Sequence, residues 1–411
     1  MRFTKRFSGL AVLITFLAVG VLTFRSEAAN LMLDSRELFQ QIQLFADSVT
    51  LVSADYVEPI KAKDLVYGAI KGMMETLDGY SQFLDPDSFK DIQEETKGEF
   101  GGVGIEVGVR DGMLTVIAPL DDTPADKAGI LPGDIIVKIE GEVTQGIILD
   151  DAVKKLRGTP GDIVNITVMR EGTDEILEFA LTRAVIKLKS IKDSKILDSD
   201  IGYIKVLEFQ ERTSKDLDRE IKKLRDAGAK QLILDLRNNP GGLLEAAVRT
   251  SDLFFDKGQM IVYTEGREPS TKLEFAAKKR SEFNDLDLVV LVNQGSASAA
   301  EIFAGAIKET KRGRVIGETT FGKGSVQTVF PLRDNSALRI TTAAYFTPSG
   351  KSLMNKGVDP DICVEKKSQE KVREKEKDGK PEKSDSWKND VFILTAVQVL
   401  RGEHVSRKEQ N

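Results

Sequence analysis

The chain has 411 residues, of which 41% are hydrophobic and 30% charged, and its formal net charge is −6. A chain of this length and composition can form two or three domains with sizeable cores, and the negative charge argues against nucleic acid as a partner. The only cysteine is Cys363 and the only histidine is His404, so an intrachain disulfide and a paired-histidine metal site are both excluded. We predict neither a metal nor a cofactor.

Residues 1–29 have the features of an export signal. Basic residues near the start precede an apolar run over residues 9–24, and small residues before Ala29 suit cleavage. The run is slightly long for a cleaved signal and short for a spanning helix, and we favour a cleaved signal peptide over a retained membrane anchor. Either one predicts an exported protein, in the periplasm or on the outer face of the cytoplasmic membrane.

Residues 30–95 are predicted to be a helical region. The stretches ELFQQIQLFADSVTLV and KDLVYGAIKGMMETL carry apolar residues at helical spacing. An apolar helix face must be buried against something, and a second copy of the chain is one option. We therefore expect a homo-oligomer formed through the terminal helices.

Residues 96–184 are predicted to form a peptide-binding module. Alternating strands surround a short helix at Thr123–Ala128, and the stretch GDIIVKIEG follows a turn. Glycines in FGGVGIEV would let backbone N–H groups converge on a terminal carboxylate, and IEVGV would offer a strand edge to a peptide. This pattern resembles a PDZ domain of bacterial proteases, although the glycines alone would also suit a hairpin with a bulge. The predicted peptide-binding residues are Gly102, Val103, Gly104, Ile105 and Val107.

The segment LILDLRNNPGG is predicted to be a buried strand followed by a sharp turn. Functional groups in open α/β sheets gather at the carboxyl ends of strands. Gly241 or Gly242 could offer a backbone N–H to a substrate oxyanion without obstruction by a side chain. An ordinary turn is the alternative.

The stretch from Asp287 to Thr310 is predicted to be strand, turn and helix, with Ser298 at the turn. A serine there projects its hydroxyl at the rim of a sheet, as in nucleophile elbows. The amide of Ala299 would lie at the helix N-terminus, where N–H groups favour negative charge. Tight helix packing is the alternative explanation of the small residues in GSASAAE.

No histidine is available as the base for Ser298, and Lys323 in FGKGSVQ is the natural substitute. A lysine acts as a base only when neutral, so its pKa must fall from about 10.4 toward about 7–8. We expect the chain to be extended here, so that Lys323 and Gln327 share a face and the glutamine orients the amine. A lysine between glycines could otherwise be an ordinary solvated side chain.

Together, DLRNNPGG, NQGSASAAEIFAG, GKGSVQT and ITTAAYFTPSGKSL resemble the carboxyl-terminal processing proteases. The likeness covers roughly residues 34–364. It implies an α/β fold, with a crotonase-like serine protease core over residues 185–364, a PDZ domain and helical N- and C-terminal segments. It also implies that Ser298, Lys323 and Gln327 form the catalytic set. Arg157 stands where family members carry an arginine thought to report PDZ occupancy, although a basic residue at a helix C-terminus is common.

Residues 365–411 are predicted to be a charged linker followed by a short amphipathic helix at DVFILTAVQVL. The whole pattern predicts an exported serine endopeptidase that binds apolar C-terminal tails of proteins or peptides and cuts near them. A regulatory partner protein could gate it. The alternatives are a PDZ-based scaffold with a latent protease core and an acyl hydrolase that acts on small esters.

Overall fold

The computed structural model describes residues 36–110, 112–170, 176–364 and 387–403. The predicted signal or anchor and residues 365–386 of the predicted linker therefore lie outside the described residues, as does His404. The chain divides into two compact units, Met1–Phe83 and Leu84–Asn411. Within the described ranges, no helix has the length and apolar character needed to cross a membrane.

The described residues of the first unit, 36–83, contain two helices, which confirms the helical prediction for this part of the chain. Helix α1 spans residues 36–55 and α2 spans Ala62–Glu75, and a short strand, β1 (Gln82–Leu84), begins where this unit ends. The ring of Tyr67 packs edge-on against Phe83 with centroids 4.7 Å apart. Large apolar side chains of α1 lie exposed in the single chain, among them Leu38, Phe39, Ile42 and Leu51.

The second unit begins with α3 (Pro86–Lys97), followed by an antiparallel sheet with two short helices. The elements are β2 (Glu99–Gly102), β3 (Ile105–Arg110), β4 (Met113–Pro119), α4 (Pro124–Lys127), β5 (Ile135–Ile139), β6 (Glu142–Val143), α5 (Leu149–Leu156), β7 (Ile163–Met169), β8 (Ile176–Thr182) and β9 (Ala184–Lys187). The strands pair in the order β3-β4-β5-β7-β8, β6 joins β5, and β2 pairs separately with β9. Strand β3 therefore forms one edge of the sheet.

A second sheet, of six strands, packs in the two other hydrophobic cores of the chain's described residues. Its elements are β10 (Ile191–Leu197), β11 (Ile201–Val206), α6 (Thr213–Asp226), β12 (Gln231–Asp235), α7 (Leu244–Ser251), β15 (Asp287–Val292), α8 (Ala299–Glu309), β16 (Arg314–Gly317), β19 (Ile362–Cys363) and α9 (Val391–Leu400). The strand order is β10-β11-β12-β15-β16-β19. All neighbours are parallel except β10 and β11.

Both faces of this sheet are covered, which explains why its strands are almost continuously apolar. Side chains such as Leu232, Leu234 and Val290 pack in one core with α6, α7 and α8. The alternate residues Ile233, Val289 and Leu291 pack in another core with α9. The helix α9 is therefore packed against its own chain.

A third sheet supplies the strand that follows the lysine loop. It contains β13 (Met260–Gly266), β14 (Leu273–Ala276), β17 (Ser325–Pro331) and β18 (Ala337–Phe346). Strand β18 pairs antiparallel with both β13 and β17. A 3-10 turn at Pro269–Thr271 joins β13 to β14.

Candidate active site

Ser298 lies at a strained turn between β15 and α8, which confirms the predicted strand, turn and helix. It is the N-cap residue of α8, with φ 53° and ψ −114°. Positive φ is uncommon for any residue with a side chain, and such strain costs on the order of 1–3 kcal/mol. The Ser298 N–H donates to Glu301 Oε2 at 2.8 Å. This bond fixes the turn that presents the hydroxyl.

The turn after β12 lies directly against Ser298. Gly241 has φ 110°, and a Cβ added to it would lie 2.8 Å from Ser298 Cβ and 3.0 Å from the Ala299 nitrogen. Only glycine fits this approach. The Gly241 N–H donates to Asn239 Oδ1 at 2.9 Å, and Asn239 is fully buried. An added Cβ at Gly242 would instead lie 2.3 Å from the Phe209 carbonyl oxygen. Gly241 is therefore the glycine that adjoins the serine.

Glu301 connects the serine turn to the lysine loop. Its side chain is fully buried in the first turn of α8. Oε2 accepts from the Ser298 N–H and from the Lys323 N–H at 2.9 Å. Oε1 accepts from the Gly322 N–H at 2.7 Å and from the Thr320 hydroxyl at 2.5 Å. One carboxylate thus holds the backbone of both Ser298 and Lys323.

The glycines on either side of Lys323 allow this loop to pack closely against the end of β18 and the segment that follows it. The Asn355 N–H donates to the Gly322 carbonyl at 2.9 Å, and the Tyr345 N–H donates to the Gly324 carbonyl at 2.7 Å. A Cβ added at Gly324 would lie 2.1 Å from the Met354 nitrogen. Larger residues would push the lysine loop away from Glu301.

The Lys323 side chain is half-buried, and its environment shifts the amine toward the neutral form. Burial is the main cause of a pKa below the usual lysine range, and the positive charge of Arg339 lowers the pKa further. The Glu301 carboxylate acts in the opposite direction. A neutral amine can accept a proton, which is the state that a general base requires.

The expectation of an extended chain over residues 323–327 is confirmed for residues 325–327, which lie in β17, and is wrong at Lys323. The Gly324 N–H donates to the Gly322 carbonyl at 3.0 Å, so the chain turns tightly at Lys323, and β17 begins only at Ser325. Gln327 Nε2 donates to Ser325 Oγ at 2.8 Å. The bond to Ser325 sets the orientation of the amide, and alternation along a strand does not relate Gln327 to Lys323.

The site lies within a region that matches a known peptidase family. Residues 200–364 match peptidase family S41, residues 115–170 match a PDZ domain, and residues 23–88 match the N-terminal domain of the activating protease CtpB. The chain is 40% identical over 395 residues to the carboxy-terminal-processing protease of Bartonella bacilliformis, and the alignment covers 90% of each protein. The chain belongs to the carboxy-terminal-processing proteases.

Two further proteins are similar to this chain. The carboxy-terminal processing protease CtpA of Bacillus subtilis is 39% identical over 315 residues, covering 76% of this chain and 67% of that protein. The solved photosystem II D1 C-terminal processing protease is 29% identical, with a TM-score of 0.47, and the match covers 79% of this chain and 92% of that one. The resemblance inferred from the motifs is confirmed, and the chain is a serine-type peptidase of the S41 fold with a PDZ domain.

In this processing protease, the predicted carboxylate-binding loop is held by its carbonyl groups. The Ala125 N–H donates to the Val103 carbonyl at 3.0 Å, and the Leu120 N–H donates to the Gly104 carbonyl at 2.9 Å. Within the described ranges, the N–H groups of Val103 and Gly104 have no acceptor. The next residue, Ile105, starts the edge strand β3.

Arg157, the C-cap residue of α5, contacts α3 and not the lysine loop. Its Nη1 donates to Asp91 Oδ1 at 2.8 Å and lies 3.9 Å from Glu94 Oε2. The guanidinium also lies over the Phe100 ring, 4.7 Å from its centroid. In this conformation the arginine connects the PDZ domain to α3.

Two residues that organise the site were not predicted from the sequence. Glu301 could have been found, because Ser298-x-x-Glu301 before an apolar run is the pattern of a capping box. Asn239 gave no comparable signal, since asparagine is ordinary in a turn. In the described part of the chain, no group of three or more His, Cys, Asp or Glu residues could hold a metal ion.

Proposed function

We propose that this protease is an exported endopeptidase that binds the C-terminal tail of a substrate protein and cuts near it with Ser298. Ser298 attacks the scissile carbonyl and Lys323 takes its proton, which it then delivers to the leaving amine. A water molecule activated by the same lysine hydrolyses the acyl-enzyme. Gln327 holds the lysine amine through its Oε1, the atom left available when Nε2 donates to Ser325.

The oxyanion of the tetrahedral intermediate would bind between α8 and the glycine turn. The Ala299 N–H lies at the start of α8, where the unpaired amides and the helix dipole favour negative charge. Gly241 lies next to the Ala299 nitrogen, since a Cβ added to it would be 3.0 Å from that atom. The Gly241 N–H donates to Asn239 Oδ1 in this structure, and it would either turn to the oxyanion or donate to both acceptors. Gly242 is the other candidate for this second oxyanion donor.

The observation that carries this proposal is the position of Glu301. Its carboxylate bonds the N–H groups of both Ser298 and Lys323, so the nucleophile and the base are held by one rigid group. The lowered pKa of Lys323, caused mainly by burial, supports its role as the base. An ester hydrolase could use the same pair but would gain nothing from a PDZ domain.

Tail binding would follow the PDZ pattern of strand addition. The N–H groups of Val103 and Gly104 would receive the terminal carboxylate, beside Gly102. The tail would extend β3 at its edge, and an apolar last side chain would lie near Ile105 and Val107, which pack on the core of this domain.

The test compares the protein expressed without residues 1–29 with its Ser298→Ala, Lys323→Ala and Lys356→Ala variants. Lys356 is an exposed lysine whose backbone nitrogen lies next to Gly322 of the same loop, and it serves as the matched control. Each is mixed with an unfolded protein that ends in apolar residues, and fragments are identified by mass spectrometry. Cleavage by the parent and by Lys356→Ala alone supports the Ser–Lys mechanism; equal cleavage by all four refutes it. Amidation of the substrate C-terminus should abolish cleavage, and no effect would refute tail recognition.

We also propose that Arg157 reports substrate docking to the lysine loop. Its contact with Asp91 would be given up when a tail binds, and Arg157 would then help order Lys323 and Gln327. Arg157→Ala should lower kcat on tailed substrates in a well-folded enzyme. Unchanged turnover would contradict this role.

Export and self-association complete the proposal. Residues 1–29 would direct the protein across the membrane, and detection of the full-length chain in the cytoplasmic fraction would contradict this. The exposed apolar side chains of α1 would pair two copies. Light scattering should then give twice the monomer mass, and replacing Leu38 and Ile42 by serine should return it to the monomer value.

A further inference from the structure

An ion network connects α9 to the end of β12. Asp235, the last residue of β12, is fully buried. It accepts from the Arg237 Nε at 2.9 Å and from Nη2 at 2.6 Å. The Tyr203 hydroxyl donates to the same carboxylate at 2.7 Å. The Arg237 side chain is therefore fixed along one edge.

The remaining edge of Arg237 is bound by α9. Its Nη1 donates to Asp390 Oδ1 at 2.9 Å, and the guanidinium lies over the Phe392 ring, 5.0 Å from its centroid. Asp390 is also the N-cap of α9, since its Oδ1 accepts from the Phe392 N–H at 3.0 Å and from the Ile393 N–H at 3.3 Å. The same carboxylate thus starts the helix and binds the arginine.

Arg237 immediately precedes the turn that lies against Ser298. Asn238 has φ 60°, and its N–H donates to Asn293 Oδ1 at 2.8 Å, while Asn293 Nδ2 donates back to Asn238 Oδ1 at 2.9 Å. The Asn239 carbonyl accepts from the Ala297 N–H at 2.9 Å. The position of Arg237 therefore bears directly on the turn and, through it, on the serine elbow.

We propose that Asp390 is a positioning residue for catalysis, and that α9 holds the glycine turn in register with Ser298 through Arg237. This proposal rests on the proposed function, since it assumes that Ser298 and the glycine turn carry out the reaction. A purely structural helix would contribute to folding alone. A positioning helix must in addition change the rate at a fully folded site.

Asp390→Asn separates the two roles, because asparagine caps a helix about as well as aspartate but removes the charge that Arg237 binds. Asp390→Ser is a second variant with the same property. Asp85→Asn, at the N-cap of α3, is the matched control; Asp85 accepts from the Ser88 N–H. All are made in the full chain and compared by kcat, KM and thermal melting.

We expect kcat to fall at least tenfold for both Asp390 variants, with KM and the melting temperature close to the parent values. Asp85→Asn should keep the parent kcat. Amide hydrogen exchange, measured in full chains that also carry Ser298→Ala, should be faster over residues 238–243 when Asp390 is replaced. Unchanged exchange, or kcat within twofold of the parent, would overturn the proposal. If the parent does not cut at all, the proposed function fails, and the exchange measurement still decides whether α9 orders the turn.

Discussion

Replacing Glu301 by glutamine tests whether one carboxylate holds the nucleophile and the base together. Four donors converge on Glu301, from Ser298, Thr320, Gly322 and Lys323. Glutamine has nearly the same shape, but only one of its two terminal atoms is an acceptor. With the NH2 group in place of Oε2, the bonds from the Ser298 and Lys323 N–H groups are lost. With it in place of Oε1, the bond from the Gly322 N–H is lost, whereas the Thr320 hydroxyl can turn and accept from the amide.

The magnitude follows from this count. A hydrogen bond to a charged group contributes about 1.5–3 kcal/mol, so the loss of one or two corresponds to about 1.5–6 kcal/mol. A change of this size should lower the melting temperature by on the order of 10 °C. The serine turn and the lysine loop would also separate slightly, and a misplacement near 1 Å can cost about 100-fold in rate. We expect kcat to fall by about that factor.

The pH profile adds a signature that simple unfolding would not produce. The negative charge of Glu301 raises the pKa of Lys323, so its removal must lower that pKa. In the proposed mechanism activity appears as the lysine loses its proton, and the acid limb of kcat/KM should therefore move to lower pH in Glu301→Gln. The residual activity of the variant would be half-maximal at a lower pH than that of the parent.

The matched control is Glu309→Gln at the other end of α8. Glu309 accepts from the Thr347 hydroxyl, the Ser349 N–H and the Ser349 hydroxyl, far along the helix from Ser298. The Glu309→Gln variant should be less stable than the parent, but its kcat should equal that of the parent at a temperature where the variant is folded. The reasoning is refuted if the two variants have equal kcat, or if the acid limb of Glu301→Gln stays in place or moves to higher pH.

Two further predictions concern the same site. The positive charge of Arg339 lowers the pKa of Lys323, so Arg339→Gln should move the acid limb of kcat/KM to higher pH. The control, Arg333→Gln, replaces an exposed arginine and should leave the acid limb in place. Coincident pH profiles of the two variants would contradict the electrostatic role of Arg339. Gly241→Ala should reduce kcat by about 100-fold or more, because the new Cβ would lie 2.8 Å from both Ser298 Cβ and the Ala297 carbonyl oxygen. Gly133→Ala has similar backbone strain at φ 91° but meets no atom within 4 Å, and it should cut normally; equal loss in both would mean that strain alone is responsible.

The local elements around the site could be predicted because they depend on short-range patterns. The apolar run of β15, the small residues after it and the helical spacing of α8 give strand, turn and helix. The carboxyl ends of parallel strands meet at one edge of a sheet, which brought Gly241 and Ser298 together in the prediction. The motif resemblance added the peptidase family and the PDZ domain, and the comparisons confirm both.

The relation between Lys323 and Gln327 shows where this reasoning fails. Alternation predicts a shared face only in an extended chain, and the bond from Gly324 to Gly322 turns the chain before β17 begins. Two glycines permit such a turn without demanding it. The segment near Met354, distant in sequence, packs against the loop and selects the turned form.

The sequence by itself determined the order of the elements and the membership of the family, and it predicted lysine as the base in a chain whose one histidine is His404. Only the tertiary structure decided which groups support that lysine and serine. Glu301, Asn239 and Asp390 act through hydrogen bonds to residues that the fold, and not the local chain, brings near. A hydrogen bond depends on distances of about 3 Å between atoms. A pattern of residue types fixes which face a side chain occupies, but it does not fix those distances.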